Sequence, residues 1–121
     1  GSSLYVTDTA PSHHPDQPAT ITRFTFSAEN RTLAGAERLV ESTSEGYDGM
    51  CCDEDGNLWV GTSGGEGKDG VSVFAPDGTL IGRVLLPEVC ANVCFVGEKR
   101  NRLLMAASQS LYTLYTGARG L

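Results

Sequence analysis

The sequence lacks three features that would place it in particular classes of protein. No apolar run approaches the ~20 residues of a membrane-spanning helix, so we expect no membrane partner. Positive charge is scarce: nine Lys and Arg stand against 15 Asp and Glu, and the net charge of −6 argues against nucleic acid as a partner. No basic segment followed by an apolar one begins the chain, so no signal peptide is visible.

The four cysteines are not spaced as zinc ligands. Cys51 and Cys52 are adjacent, so they point to opposite faces if they lie in a strand. Cys90 and Cys94 form a CxxxC pair rather than the CxxC pair of a zinc site. We therefore predict buried free thiols, which fit a reducing compartment and a cytoplasmic protein.

Short apolar segments alternate with turn-forming residues along most of the chain. Residues 21–26 alternate strictly between two faces, as β-strands do, and no convincing amphipathic helix is visible. The segments Leu4–Thr7, Leu58–Gly61 and Leu103–Ala106 are similar to one another. A strand pattern that recurs every ~40–50 residues is typical of β-propeller blades.

The repeat predicts an all-β chain that forms a β-propeller fragment. About three four-stranded antiparallel blades are expected, at approximately residues 4–46, 47–90 and 91–121. Residues 1–3 are set aside as a possible cloning remnant. A β-sandwich is the structural alternative.

Several segments have to be weighed against a second interpretation. Gly65–Gly70 spells GxGxxG, but a strand is predicted after it, whereas a dinucleotide site needs a helix. Asp53–Asn57 is acidic like a calcium loop, but its glycine is misplaced for one, and we predict a hairpin turn. Ser27–Ala34 is interpreted as a turn, and Ala36–Val40 as either a strand or one helical turn.

Asp48 is the most informative single residue. It stands beside Gly49 at the mouth of an apolar segment that we expect to be a buried strand. A carboxylate in such a place has to be paired, hydrogen-bonded or bound to a metal ion. A role in accepting backbone N–H bonds at the strand end and a role in a functional site both stay open.

The motifs around Asp48 resemble those of the gluconolactonase/SMP-30/luciferin-regenerating-enzyme family. The resemblance rests on Asp48–Cys51 followed by Asp55–Val60, and is extended by Gly70–Phe74, Pro76–Gly78 and Gly117–Gly120. It implies a six-bladed β-propeller, of which this chain corresponds to the C-terminal part, roughly half.

The resemblance also implies an activity, a cofactor and partners. Family members hydrolyse lactones at a divalent metal, calcium or zinc, held in the central channel by a Glu, an Asn and the Asp of the Asp-Gly-Met motif. That Asp maps onto Asp48, which becomes the expected metal ligand and general base. The other two ligands are expected before Gly1, so the missing N-terminal half of the propeller, or a second copy in a homodimer, is the expected partner.

Three further residues are candidates for contact with a small lactone substrate. Asn92 begins a predicted strand one blade beyond Asp48, where it either faces the channel or caps the strand end. His13 and His14 lie in the polar, proline-containing loop 9–20, which we expect to be mobile and close to the channel mouth. The alternative to a lactonase is a non-catalytic half-propeller that serves binding or assembly.

Overall fold

The computed structural model describes residues 3–121, which form three antiparallel β-sheets. The strands are β1 (Ser3–Asp8), β2 (Ala19–Ser27), β3 (Thr32–Ser42), β4 (Gly46–Cys52), β5 (Leu58–Ser63), β6 (Gly70–Phe74), β7 (Leu80–Leu85), β8 (Cys90–Val96), β9 (Arg102–Ala107) and β10 (Leu111–Tyr115). The first sheet has the order β1-β2-β3, the central sheet β4-β5-β6-β7 and the last sheet β10-β9-β8. The all-β prediction is confirmed, and in the described range no helix is long and apolar enough to cross a membrane.

The first sheet contains a longer hairpin than the sequence predicts. The predicted turn Ser27–Ala34 is too long, because residues 28–31 turn the chain and β3 then begins. Phe26 of β2 lies opposite Leu33 of β3. Ala36–Val40 lies inside β3 and is therefore strand rather than helical turn. Pairing with β2 satisfies the backbone hydrogen-bonding groups of this largely exposed segment. Its side chains alone do not predict a strand.

Two apolar clusters join the sheets. Between the first and central sheets lie Ala19, Ile21, Val40, Tyr47, Leu58, Val60 and Phe74. Between the central and last sheets lie Val71, Cys90, Val93, Leu103 and Met105. The central sheet is thus covered on both faces, because neighbouring residues of a strand point to opposite sides.

Trp59 packs between the central and last sheets. Its ring meets Phe95 of the last sheet edge to face, with centroids 5.3 Å apart and planes at 80°. Such aromatic pairs add to the free energy gained from burial alone. Trp59 therefore helps to fix the last sheet against the central one.

All four cysteines are free thiols, but one of them is not buried. Cys90 is buried, and Cys51 and Cys52 are half buried. Cys94 is exposed, so the prediction of burial is wrong for this residue. It lies opposite Leu104 on the face of the last sheet that is turned away from the central sheet.

The turn between β4 and β5 is organised by the buried carboxylate of Asp53. Its Oδ1 accepts hydrogen bonds from the backbone N–H groups of Asp55 and Asn57, at 3.0 and 2.9 Å. Its Oδ2 accepts from Asn57 Nδ2 and Trp59 Nε1, both at 2.9 Å. Gly56 supplies the positive φ of 83° that this turn requires. The segment is the predicted hairpin turn and not a calcium loop.

The same turn holds the C-terminal residues. Asp53 forms an isolated antiparallel bridge with Gly120, and the N–H of Glu54 donates to the carbonyl of Arg119 at 2.8 Å. The Glu54 carboxylate also forms salt bridges with Arg100 and Arg119, at 3.1 and 3.4 Å. The turn of the central sheet is therefore the anchor for the end of the chain.

We predict that Asp53→Asn lowers the free energy of unfolding at pH 7 by about 2–3 kcal/mol. The amide that replaces the carboxylate keeps a single acceptor oxygen and loses its charge, although the four donors stay in place. Urea unfolding followed by circular dichroism measures the change. Asp55→Asn is the matched control, because the Asp55 side chain is exposed, and it should change the free energy by less than about 0.5 kcal/mol.

The pH dependence gives a second test of Asp53. Burial acts to raise the pKa of Asp53, but hydrogen bonds from Trp59 and Asn57 outweigh it and hold this pKa below the ordinary value of 3.8. Stability from the ionised carboxylate is therefore present above pH 4 and lost as the pH falls through the depressed pKa. The difference in unfolding free energy between wild type and Asp53→Asn should shrink from pH 7 to pH 3. A constant difference would contradict this assignment.

Candidate functional site

A cavity of about 400 Å³ opens at the end of the molecule where β4 begins. Its walls come from the loop after β1, from the segment that leads into β4, from the end of β5 and from the start of β8. All three sheets therefore contribute to it. Asp48 is one of its lining residues.

Asp48 reaches the cavity because β4 contains a β-bulge. Tyr47 pairs with Thr62 and Met50 pairs with Val60, so three steps along β4 match two along β5. A bulge bends the strand and changes the direction of the extra side chain. Tyr47 is buried at 2% exposure, whereas the next residue, Asp48, is exposed. The local twist thus presents a carboxylate to the cavity from a strand that is otherwise packed.

The carboxylate of Asp48 is not used to close a turn. Backbone N–H groups within residues 3–121 donate to the side chains of four other aspartates, Asp8, Asp53, Asp69 and Asp77. No such bond is found for Asp48 in this range. Because the side chain is exposed, water can solvate the carboxylate.

The segment before Asp48 is held by a partly buried ion pair. Arg83 Nη1 and Nη2 each donate to the carboxylate of Glu45 at 2.9 Å, and Nη1 also donates to the Oγ of Ser72 at 3.1 Å. This two-pronged contact restricts the backbone three residues before Asp48. Tyr47 adds an edge-to-face contact with Phe74, at 5.8 Å between ring centroids.

The glycine-rich loop of residues 64–70 supports the same segment before Asp48. The Nζ of Lys68 donates to the carbonyl of Ser44 at 3.3 Å, and Asp69 Oδ1 accepts from the N–H groups of Gly64 and Gly65. Strand β6 begins at Gly70, directly after this loop. The loop therefore has the strand, rather than the helix, that the sequence predicts after its GxGxxG spacing, and its contacts are structural.

The start of β8 comes very close to the central sheet through two glycines. A Cβ atom at Gly61 would lie 2.5 Å from the carbonyl oxygen of Cys90, and one at Gly49 would overlap the side-chain oxygen of Asn92. Real Cβ atoms do not approach backbone so closely. These glycines permit the contact that brings Cys90 to the cavity wall.

Asn92 lies beside Gly49 but does not line the cavity that Asp48 lines. Its Oδ1 accepts the backbone N–H of Val93 at 2.9 Å, which caps the strand locally. Asn92 also borders a separate depression of about 180 Å³, together with Cys94 and Leu104.

His13 and His14 are exposed and are also not among the cavity-lining residues. The loop that carries them does reach the cavity, because Pro11 and Ser12 of the short 3-10 turn Ala10–Ser12 line it. The structure thus brings the start of the loop to Asp48, and leaves the two histidines outside the lining.

Cys90 is a cavity residue that the sequence does not single out. Burial, with the nearby negative charge of Asp48, raises the pKa of the Cys90 thiol above its ordinary value, against a backbone hydrogen bond that lowers it. Cys90 is therefore a neutral thiol at pH 7 and a poor nucleophile.

The described residues do not form a metal site by themselves. Within residues 3–121, no three His, Cys, Asp or Glu side chains come together as a group that could hold an ion. Asp48 offers one carboxylate, whereas zinc takes about four ligands and calcium about six to eight.

Comparison with known proteins finds one matching family model and similar solved structures. The sequence model of the SMP-30/gluconolactonase/LRE-like region matches residues 1–109. A gluconolactonase from Xanthomonas campestris is 29% identical, with a TM-score of 0.75 over 94% of this chain and 34% of that one. No match was found among curated proteins.

Two more distant structures share the fold. A luciferin-regenerating enzyme is 17% identical, with a TM-score of 0.76 over 99% of this chain and 43% of that one. Regucalcin from Agrobacterium tumefaciens, described as a calcium-binding protein, is 22% identical, with a TM-score of 0.78 over 100% of this chain and 44% of that one. The chain thus spans 34–44% of these relatives' length. The prediction of an all-β, propeller-type fold is confirmed, although the first and last sheets have three strands each where four were predicted.

We predict that Gly61→Ala lowers the free energy of unfolding by about 1–3 kcal/mol. The added methyl group meets the backbone of β8, which cannot move without separating the last sheet from the central one. Gly82→Ala is the matched control, because a Cβ there meets nothing within 4 Å. Urea unfolding of both variants measures the difference. Equal stability of the two would show that the close approach is not a constraint.

Proposed function

Because this chain belongs to the SMP-30/gluconolactonase/LRE-like family, we propose that it is the part of a lactone hydrolase that carries a catalytic carboxylate. The observation that supports this most directly is the β-bulge of β4, which presents Asp48 to a cavity formed by all three sheets. The substrate class is a sugar-type lactone or a related ester, and the nearest chemistry in the comparisons is that of the gluconolactonase.

The proposed reaction is hydrolysis by direct attack of water. The water oxygen bonds to the lactone carbonyl carbon, the bond from that carbon to the ring oxygen breaks, and the product is a hydroxy acid. Asp48 accepts the proton that the attacking water loses, as a general base, and returns it to the departing ring oxygen, which becomes the hydroxyl group of the product. The neutral thiol of Cys90 on the same wall favours this route over a covalent thioester.

The proposal includes a divalent metal, calcium or zinc, as the relationship to a calcium-binding regucalcin suggests. The residues of this chain alone do not fit such an ion, since Asp48 is a single ligand. Asp48 would therefore supply one oxygen ligand, and polypeptide outside this chain would supply the others.

Three residues near the cavity are proposed as substrate contacts. Asn92, His13 and His14 each lie within two residues of a residue that lines the cavity. His13 and His14 follow Ser12 in the loop, and Asn92 follows Cys90 in β8. A lactone larger than the cavity would reach them at its rim.

The proposed assembly follows from the apolar side chains that the outer faces expose. The first sheet exposes Leu4, Val6, Phe26 and Leu33 on this face, and the last sheet exposes Leu111 and Tyr115. We propose that the blades at about residues 4–46, 47–90 and 91–121 are completed by an N-terminal propeller half or by a second copy of this chain. The free thiols are consistent with a cytoplasmic location, which is part of the proposal.

A non-catalytic role is the second candidate. It is favoured by one observation, that the described residues bring no group of three His, Cys, Asp or Glu side chains together at Asp48. A half-propeller of this kind would serve as a binding or assembly module, with its exposed apolar faces as the contact surfaces.

In the complete assembly, we predict that Asp48→Asn lowers kcat/KM for gluconolactone hydrolysis by about 10²–10⁴-fold, because the general base is removed. A pH-stat assay measures the rate, and an unchanged unfolding curve shows that the fold is kept. Asp55→Asn, an exposed aspartate on the β4–β5 turn, is the control with wild-type activity. An Asp48→Asn variant as active as the wild type would favour the non-catalytic role.

For the 12.8 kDa chain purified alone, we predict self-association at micromolar concentration. Association would remove the exposed apolar faces from water and would cover the unpaired backbone groups of the edge strands β3 and β10. Light scattering should give a mass near that of two copies. A stable monomer that shows no concentration dependence would contradict this part of the proposal.

A further inference from the structure

Arg102 differs from the other arginines that are shielded from water. Arg23 and Arg83 are partly buried, and each is paired with a glutamate. Arg38, Arg100 and Arg119 also form salt bridges. Arg102, at the start of β9, has no carboxylate partner within residues 3–121, and its Nε is buried without a hydrogen-bond partner. An N–H group left unsatisfied in this way is costly.

The guanidinium of Arg102 borders a pocket of about 380 Å³ between the β8–β9 turn and the end of β10. Its central carbon lies 5.9 Å from the ring centre of Tyr115, its register partner on β10. Stacking against an aromatic ring restricts the guanidinium while leaving N–H groups at its edge available. Lys99 and Asn101 also line the pocket, and Glu98 is the one acidic residue in its lining.

This pocket is separate from the cavity at Asp48. Strand β8 runs from Cys90, which lines that cavity, to Val96, which lines this pocket. Six steps of an extended strand separate the two by roughly 20 Å. Arg102 also alternates with the buried Leu103, so its side chain lies on the face of the last sheet turned away from the central sheet.

We propose that the Arg102 pocket binds a carboxylate group. The edge of a guanidinium presents parallel N–H donors that match the two oxygens of a carboxylate, and Lys99 and Asn101 add donors at the rim. One guanidinium and one ammonium against the charge of Glu98 suit a monoanion better than a phosphate dianion. The carboxylate comes either from a small organic acid or from an Asp or Glu side chain of the polypeptide that covers this face.

The proposal is tested by NMR titration of the ¹⁵N-labelled chain with sodium acetate, against sodium chloride at equal ionic strength. We expect saturable shifts of the Arg102 Nε–H signal and of the Gly97 and Asn101 amides. The Kd should be roughly millimolar, because so small a ligand offers little binding energy. Shifts that do not saturate, or that chloride reproduces, count against a free-acid source.

Two variants and a control separate recognition from general charge. Arg102→Gln should abolish the saturable shifts, and Arg102→Lys, which keeps the charge but not the paired donors, should weaken acetate binding about 10-fold. Arg38→Gln removes an exposed arginine on the first sheet and should leave acetate binding unchanged. Equal binding by wild type and Arg102→Lys would overturn paired recognition. Unfolding curves show whether each variant folds.

Sedimentation velocity distinguishes the two sources of the carboxylate. If an acidic side chain of a second copy occupies the pocket, acetate and Arg102→Gln should each lower the fraction of dimer by several-fold. If the source is a free acid, acetate binds without a change in mass. A chain that shows neither saturable acetate binding nor acetate-sensitive mass overturns the proposal.

Discussion

The buried carboxylate of Asp53 is the interaction on which the rest of the molecule depends. It gathers four donors from the β4–β5 turn and from Trp59, and so fixes the direction in which β5 leaves β4. Trp59 then packs on the last sheet through Phe95. Because the same turn also bonds the backbone at Arg119, one ionised group sets the hairpin, the contact between sheets and the end of the chain.

The candidate site depends on backbone geometry more than on a set of side chains. The bulge after Tyr47 exposes Asp48, and the absence of side chains at Gly49 and Gly61 lets β8 approach. The Arg83–Glu45 pair then holds the entry to β4 in place. An exposed carboxylate on a firmly held strand suits a group that has to meet a substrate in solution while keeping its position.

The sequence predicted most of the strands, because period-2 alternation and Asp-Gly turns report backbone structure locally. It missed the extent of β3, whose exposed residues carry little alternation and become strand only by pairing with β2. It identified Asp48 by its motif, but gave no sign of the bulge that exposes it. Glu45 and Arg83 lie far apart in the chain, so their pairing depends on a register that a single sequence does not reveal.

Each sheet is built from strands that follow one another in the chain, and within residues 3–121 the main contacts between sheets join sheets that are adjacent in sequence. Such contacts join residues that are close in sequence, so forming them closes only short loops. Each sheet can therefore form independently of the others. The central sheet, covered on both sides, is then the part whose amide hydrogens should exchange most slowly with solvent, while the outer sheets open first. Such a chain behaves as a row of coupled units, to which further units can be added at either end without altering the middle.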